Sequence, residues 1–185
     1  MQSGTGLRST LGRTLGPTLE TDRLLLRPID MEADFQGFCD TFSDADTMRF
    51  LGGKTKSPAE TWRTMATFLG HHLARGYSFL SVIEKATGDW VGEVGPWYPE
   101  GWPDREVGWT LHPAHRGKGY AREAGRAAID YVRDDLGWPS VIHIIEDGNV
   151  GSERVAEALG STRLRTLDRI PGIGEGVFNI YGQDF

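Results

Sequence analysis

The 185-residue chain has a single cysteine, Cys39, and no grouping of histidine and cysteine at zinc-ligand spacing. An internal disulfide is therefore excluded, and the pattern points to a metal-free fold in a reducing compartment, with the cytoplasm as the default location. Cys39 lies in an ordinary helical stretch and is expected to pack as a small hydrophobe. No apolar run approaches the about 18 residues of a membrane span, and the N-terminus lacks the continuous apolar core of a signal peptide. Basic blocks are missing too. Lysines and arginines number 20 against 26 acids, a net charge of −6, which argues against a non-specific nucleic-acid binder and suits a cationic partner. Neither nucleic acid nor membrane is expected as a partner.

What is present concentrates between Glu106 and Val132, EVGWTLHPAHRGKGYAREAGRAAIDYV. Val107, Trp109 and Leu111 alternate with Gly108, Thr110 and His112, which predicts a strand ended by Pro113. After a glycine-rich turn, a helical period places Ala121, Ala124, Ala128, Val132 and Leu136 on one face. The two glycines of Arg116-Gly117-Lys118-Gly119-Tyr120-Ala121 let backbone N–H groups converge on one concave space. The first N–H groups of a helix lack internal partners and carry its partial positive charge, so an anion belongs there. Arg116 and Lys118 favour a diphosphate over a carboxylate. A solvated basic turn opening an amphipathic helix is the alternative reading. No Gly-Lys-Ser/Thr follows, so this is not a Walker A loop, and the three-glycine dinucleotide fingerprint is absent.

Arg116, Gly119 and Ala121 meet the pattern Arg/Gln-x-x-Gly-x-Gly/Ala, and in this the chain resembles the GNAT superfamily of N-acetyltransferases. Glu106-Val107-Gly108-Trp109 and Gly119-Tyr120-Ala121-Arg122-Glu123-Ala124 are similar to the branch of the ribosomal-protein N-terminal acetyltransferases, the RimJ/RimL-like proteins. Two further blocks carry the same likeness: the Asn-x-x-Ser helix of residues 149–160 and the opening strand of residues 21–28. The resemblance covers residues 20 to 185. It implies an α+β fold, a mixed, splayed β-sheet flanked by helices, as one GNAT domain over residues 19–185.

Residues 1–18, rich in Gly, Ser and Thr, read as a flexible N-terminal extension. A strand over 24–27 is closed by Pro28, and Asp30 is placed to cap a helix containing Phe35 and Phe38. A short helix over 44–50 precedes Gly52-Gly53. Ser57-Pro58-Ala59-Glu60 then opens a helix that Gly76 breaks. Strands are expected over 79–84 and 90–95, joined by a hairpin turn at 85–89. Three prolines make 96–104 read as a loop over the sheet. A buried strand over 141–146, a helix over 149–159 and a last strand over 177–182 complete the chain, with Gly172, Gly174 and Gly176 in a hairpin loop.

The resemblance further implies acetyl-CoA as cofactor. Its pantetheine would lie in a gap between the strand ending at Leu111 and the strand 141–146, held by the backbone of Trp109, Thr110 and Leu111. Gly108 suits a local distortion of that strand. The pyrophosphate would sit on Arg116, Gly117, Lys118, Gly119, Tyr120 and Ala121, with Asn149 orienting the cofactor. Arg154 is a candidate for a further phosphate, an exposed helix arginine being the alternative. The reaction implied is transfer of acetyl to a primary amine, on a small molecule or a protein N-terminus, by direct attack in a ternary complex.

An alkyl amine is mostly protonated at neutral pH, so a base is required. Glu93 is the first candidate and Glu106 the second. Ser152 matches the serine of Asn-x-x-Ser and is the candidate proton donor to the departing thiolate, helix capping being its alternative role. Many GNAT enzymes carry a tyrosine one turn further on; here that position is Ala156, so a tyrosine would have to be Tyr181 or Tyr120. His143 falls in the buried strand, where a satisfied core histidine competes with a catalytic one. Trp90 and Trp109 are expected to pack, while Trp97 and Trp102 could seat a cation or cover the sheet. Ser161 replaces the usual aromatic or methionine after the last family glycine, which leaves the acceptor end open. A CoA-binding sensor or structural module without transfer is the competing reading, and monomer or homodimer the expected assembly.

Overall fold

The computed structural model describes residues 16–185, so the extension expected over 1–18 lies almost wholly outside the described residues. Eight strands form one sheet in the order β1-β2-β3-β4-β5-β6-β8-β7. They are β1 Leu19–Glu20, β2 Leu24–Pro28, β3 Leu80–Glu84, β4 Trp90–Trp97, β5 Glu106–Leu111, β6 Ser140–Glu146, β7 Thr162–Ile170 and β8 Gly174–Asp184. Every neighbouring pair is antiparallel except β5 and β6. Helices α1 (Phe35–Ser43), α2 (Ala45–Met48) and α3 (Pro58–Arg75) pack around Phe38, Met65, Phe68 and Trp90 on one side. On the other side α4 (Tyr120–Asp134) buries Ala124, Ala128, Ile129 and Val132 against Leu26, Val82, Val94 and Val107. A fifth helix, α5 (Val150–Ala158), follows β6. This is the mixed, splayed GNAT architecture that the resemblance implies.

The splay is visible in the pairing. β5 and β6 meet at one register position, Glu106 opposite Ile142, where the Ile142 N–H reaches the Arg105 carbonyl at 2.9 Å. Beyond that point they part. The small stripe of α4 brings its neighbours close: a Cβ on Gly125 would lie 2.9 Å from Leu159 Cδ1, so the end of α5 rests directly on α4. Ser57 and Glu60 complete a capping box with Pro58 in the first turn, and Gly76 ends α3 in the left-handed region.

Several expectations are corrected. β4 runs on through Pro96 and Trp97, which pair with Val107 and Glu106. The proline is tolerated because the ladder with β3 has already ended at Val94, so no third strand requires a donor there. Gly108 is not a bulge; the β4–β5 register is unbroken through it, and its missing side chain makes room for the Phe79 ring, 3.1 Å from where a Cβ would stand. The distortion lies one strand away, between Val82 and Ile83, where β4 carries an extra residue and so turns Val91 and Val94 to the same face. Asp30 accepts from the N–H groups of Glu32 and Ala33 in a turn ahead of α1, rather than capping the helix itself. β7 is an additional strand, and β8 is longer at both ends than 177–182.

Among the described residues no group of three or more His, Cys, Asp or Glu could hold a metal ion, and no helix is long and apolar enough to cross a membrane. Cys39 is free and half-buried in α1.

Candidate active site

The turn between β5 and α4 takes the shape its glycines allow, with Gly117 at φ +76° and Gly119 at φ +81°. The Glu123 N–H bonds the Gly119 carbonyl, which leaves the N–H groups of Tyr120, Ala121 and Arg122 without helical partners. No side chain caps this end. A cleft of about 620 Å³ opens over it, lined by Arg116, Gly117, Gly119, Tyr120, Ala121 and Arg122, by Trp109, Thr110 and Leu111 of β5, and by Asn149 and Ser152. Its far wall is α2 and the segment after it, Asp46 to Leu51, which the sequence reading missed because nothing local in those residues marks them. Arg116 leans across to hydrogen-bond Thr47 and lies 3.5 Å from the Asp44 carboxylate. Uncapped N–H groups, a paired arginine and room for a chain-like ligand fit a CoA diphosphate. Lys118 and Arg154 are exposed and stand apart from the cleft. Tyr120 is buried with its hydroxyl on Glu84, and the Arg23 guanidinium lies 4.6 Å above its ring.

A second cavity of about 610 Å³ lies on the α1–α3 side of the sheet. Glu93, Glu106, Gly108 and Thr110 form its floor, Lys56, Phe68 and Trp97 one wall, and Pro171 to Ile173 of the β7–β8 turn another. Trp109, Thr110, Asn149 and Ser152 line both spaces, so the two meet there. The splay of β5 from β6 opens that junction.

Glu93 is 3 % exposed and its Oε2 has no hydrogen-bond partner. Burial pushes its carboxyl up to about 8, against the pull of the Lys56 ammonium and the Thr110 hydroxyl. Glu106 is held differently. Its Oε2 accepts from Trp102 Nε1 at 2.7 Å and its Oε1 from the Ile144 N–H at 3.0 Å, so it fills the β5–β6 gap where a backbone carbonyl would otherwise pair. Burial raises it to about 7, with both bonds opposing.

Ser152 does not cap its helix; Asn149 does, its Oδ1 accepting from the Ser152 N–H at 3.2 Å. The Ser152 hydroxyl instead accepts from Trp109 Nε1 at 3.3 Å, which leaves its own hydrogen free to donate. Ala156 is buried beneath α5 beside Tyr181, and Tyr181 lines neither cavity. Among the described residues no tyrosine lines the junction of the two spaces.

His143 is the satisfied core histidine. Its Nδ1 lies 2.6 Å from the Val107 carbonyl, so that nitrogen carries the hydrogen, and its Nε2 accepts from Ser161 Oγ at 3.0 Å. Gln183 donates to Ser161 in turn at 2.9 Å. Burial lowers the ring to about 4, so it is neutral at pH 7. Ser161 thus serves the histidine. Trp90 packs 4.7 Å from the Phe38 ring as expected, and Trp97 stacks on His71 at 4.2 Å while facing the second cavity.

The model of the acetyltransferase (GNAT) domain matches residues 23–162. YkkB of Bacillus subtilis (strain 168) is 31 % identical over 152 residues, 80 % of this chain and 87 % of that protein. An acetyltransferase from Agrobacterium tumefaciens str. C58 is 30 % identical with a TM-score of 0.79, over 91 % of this chain and 95 % of that one. The same fold recurs at 16 % identity and a TM-score of 0.75 in RimL, a ribosomal L7/L12 alpha-N-protein acetyltransferase solved with coenzyme A, over 91 % of this chain and 98 % of that one. With the loop, the splayed strands and the match in place, the chain belongs to the GNAT acetyltransferase family.

Proposed function

We propose that the chain is an acetyl-CoA-dependent N-acetyltransferase acting on a primary amine by direct attack, with donor and acceptor held together in the two joined spaces. The observation that carries this reading is their meeting at Trp109, Thr110, Asn149 and Ser152, between an uncapped helix end and a buried carboxylate without a partner. RimL, which shares the fold, was solved with coenzyme A. When bound, acetyl-CoA would supply the acetyl group as a thioester.

The N–H groups of Tyr120, Ala121 and Arg122 and the Arg116 guanidinium would hold the diphosphate, and the free edge of Trp109 to Leu111 the pantetheine. With no cation beside it, Glu93 holds a proton at its carboxyl. An entering ammonium stabilises the carboxylate and lowers that pKa, so Glu93 ionises as the cation arrives and can then take a proton from it. Ser152 holds its proton at Oγ, oriented by Trp109, at the place a leaving sulfur would require one. Glu106 and His143 bond across the base of the strand gap and fix its width. A buried carboxyl in the second cavity, beside that junction, favours the transferase reading over a silent CoA sensor.

The test follows free thiol from acetyl-CoA while primary amines are added. Thiol release above the hydrolysis background in the presence of an amine supports transfer. CoA binding by calorimetry with no release from any amine in a broad panel would sink it in favour of the sensor.

A further inference from the structure

Two ionisable groups facing the second cavity have no ion-pair partner within 4.0 Å among the described residues. Glu93 is one. The other is Lys56, half-buried in the segment between α2 and α3, whose Nζ donates to Thr64 Oγ1 at 2.9 Å and sits 4.5 Å over the Phe42 ring. Among the described residues no carboxylate comes within 4.0 Å of Lys56, and none of the ion pairs includes Glu93. Glu60, near Lys56 in sequence, is committed to the Ser57 N–H and hydroxyl. The remaining acids lining the cavity leave the pattern intact: Glu106 is bonded through both oxygens, Glu100 pairs with Arg75 at 3.3 Å, and Glu146 ends β6. A carboxyl that ionises when a cation arrives and an ammonium thus face a shared space without an ion pair between them.

We infer that the acceptor is a compact zwitterion, an amino acid with an apolar side chain, whose ammonium meets Glu93 and whose carboxylate is received by Lys56. The inference rests on the transferase reading and names its substrate class. A lone alkyl amine would satisfy Glu93 and leave Lys56 unanswered, and a polyamine would set a second cation against Lys56. A protein N-terminus brings an amide carbonyl where Lys56 offers a full charge. Burial also holds the Lys56 ammonium below its ordinary range, with Glu93 opposing, so a carboxylate arriving there restores a stabilised charge. The wall is aromatic: Phe68, Phe79 and Trp97 lie with ring centroids 4.9 to 5.5 Å apart, a surface for an apolar side chain. A volume of about 610 Å³ suits a small molecule. In the reaction the N–C bond forms as the C–S bond breaks; the ammonium gives up two protons, one passing through Glu93 to solvent and the other balancing the one the thiolate takes to become the thiol.

The experiment measures thiol release by the full chain with leucine and phenylalanine, their carboxamides, short peptides with the same first residue, and putrescine. The amide keeps the amine and lacks the carboxylate, and its less basic amine is more often neutral, so a preference for the acid reports binding. The free acids are expected to exceed their amides in kcat/KM by roughly tenfold or more, the scale of a charge-assisted hydrogen bond. Lys56→Met collapses that ratio towards one, mainly through KM, and Lys56→Arg keeps it. If Lys56→Met does not fold by thermal melting, Lys56→Gln takes its place. Equal rates for acid and amide, a ratio that survives Lys56→Met, or faster turnover of peptides or putrescine would each overturn the inference. Tryptophan fluorescence of the CoA-loaded protein, titrated with leucine and its amide, separates the two failures. Zwitterion-selective binding without thiol release would sink the transferase reading alone, whereas no selectivity in binding would sink this one.

Discussion

Glu93 on β4 stands opposite Thr110 on β5, turned away from the α4 face by the extra residue in β4 and buried without a partner for Oε2. Its behaviour with pH follows. Folded, it keeps its proton up to about 8; unfolded, it releases it near the ordinary glutamate value of 4.5. Between those values the unfolded chain binds fewer protons, so the native state loses stability as pH rises and the loss is complete above the folded value. Glu93→Gln removes the loss, so its Tm should exceed that of the parent at pH 8.5 by about 3 °C or more, with the gap closing towards pH 4.5. A gap that does not change with pH would show that the carboxyl is not held neutral. The same variant should lower kcat/KM at pH 7 by about 100-fold or more, the usual worth of a positioned base. Ser152→Ala should lower kcat while leaving CoA affinity near that of the parent, and a fully active variant would remove the hydroxyl from the chemistry. Glu93 and Ser152 were singled out through the family resemblance, and both line the second cavity. Lys56 was not, since a lysine in a polar stretch reads as surface until Phe42 and Thr64 are folded against it.

At the scale of elements, the β5–α4 turn and the β5–β6 gap carry the account. Gly119 has φ +81°, with the Arg23 guanidinium 3.5 Å from where a Cβ would stand. Gly119→Asp places a strained, charged side chain where an anion should bind, and calorimetry should find acetyl-CoA binding abolished; unchanged affinity would refute the loop assignment. The gap is held by Glu106, which accepts from a backbone N–H and an indole at once. Glu106→Gln replaces one acceptor by a donor and should cost about 1–3 kcal/mol in denaturant unfolding. Strand, turn and helix from Glu106 to Val132 were readable because alternation, glycines and a helical stripe agree there. β7 was not: its residues are exposed along nearly their whole length, so no buried face marks them, and the strand is specified by pairing with β8. Pro96 misled for a related reason, because the end of β3 beside it is a fact of register that local sequence does not contain.

For the molecule as a whole, two spaces meet where β5 parts from β6. Composition excluded alternatives and the family resemblance supplied the topology, but the joining of the clefts depends on strands far apart in sequence and on Phe50 and Leu51, which border both. Under the proposed direct attack, donor and acceptor are held on the protein together in the two joined spaces. The most direct measurement is therefore a grid of initial rates of thiol release against acetyl-CoA and acceptor concentration. Double-reciprocal lines that intersect are the predicted result, since both ligands must be bound before transfer. Parallel lines, the mark of an acetylated enzyme that releases CoA before the amine binds, would contradict it.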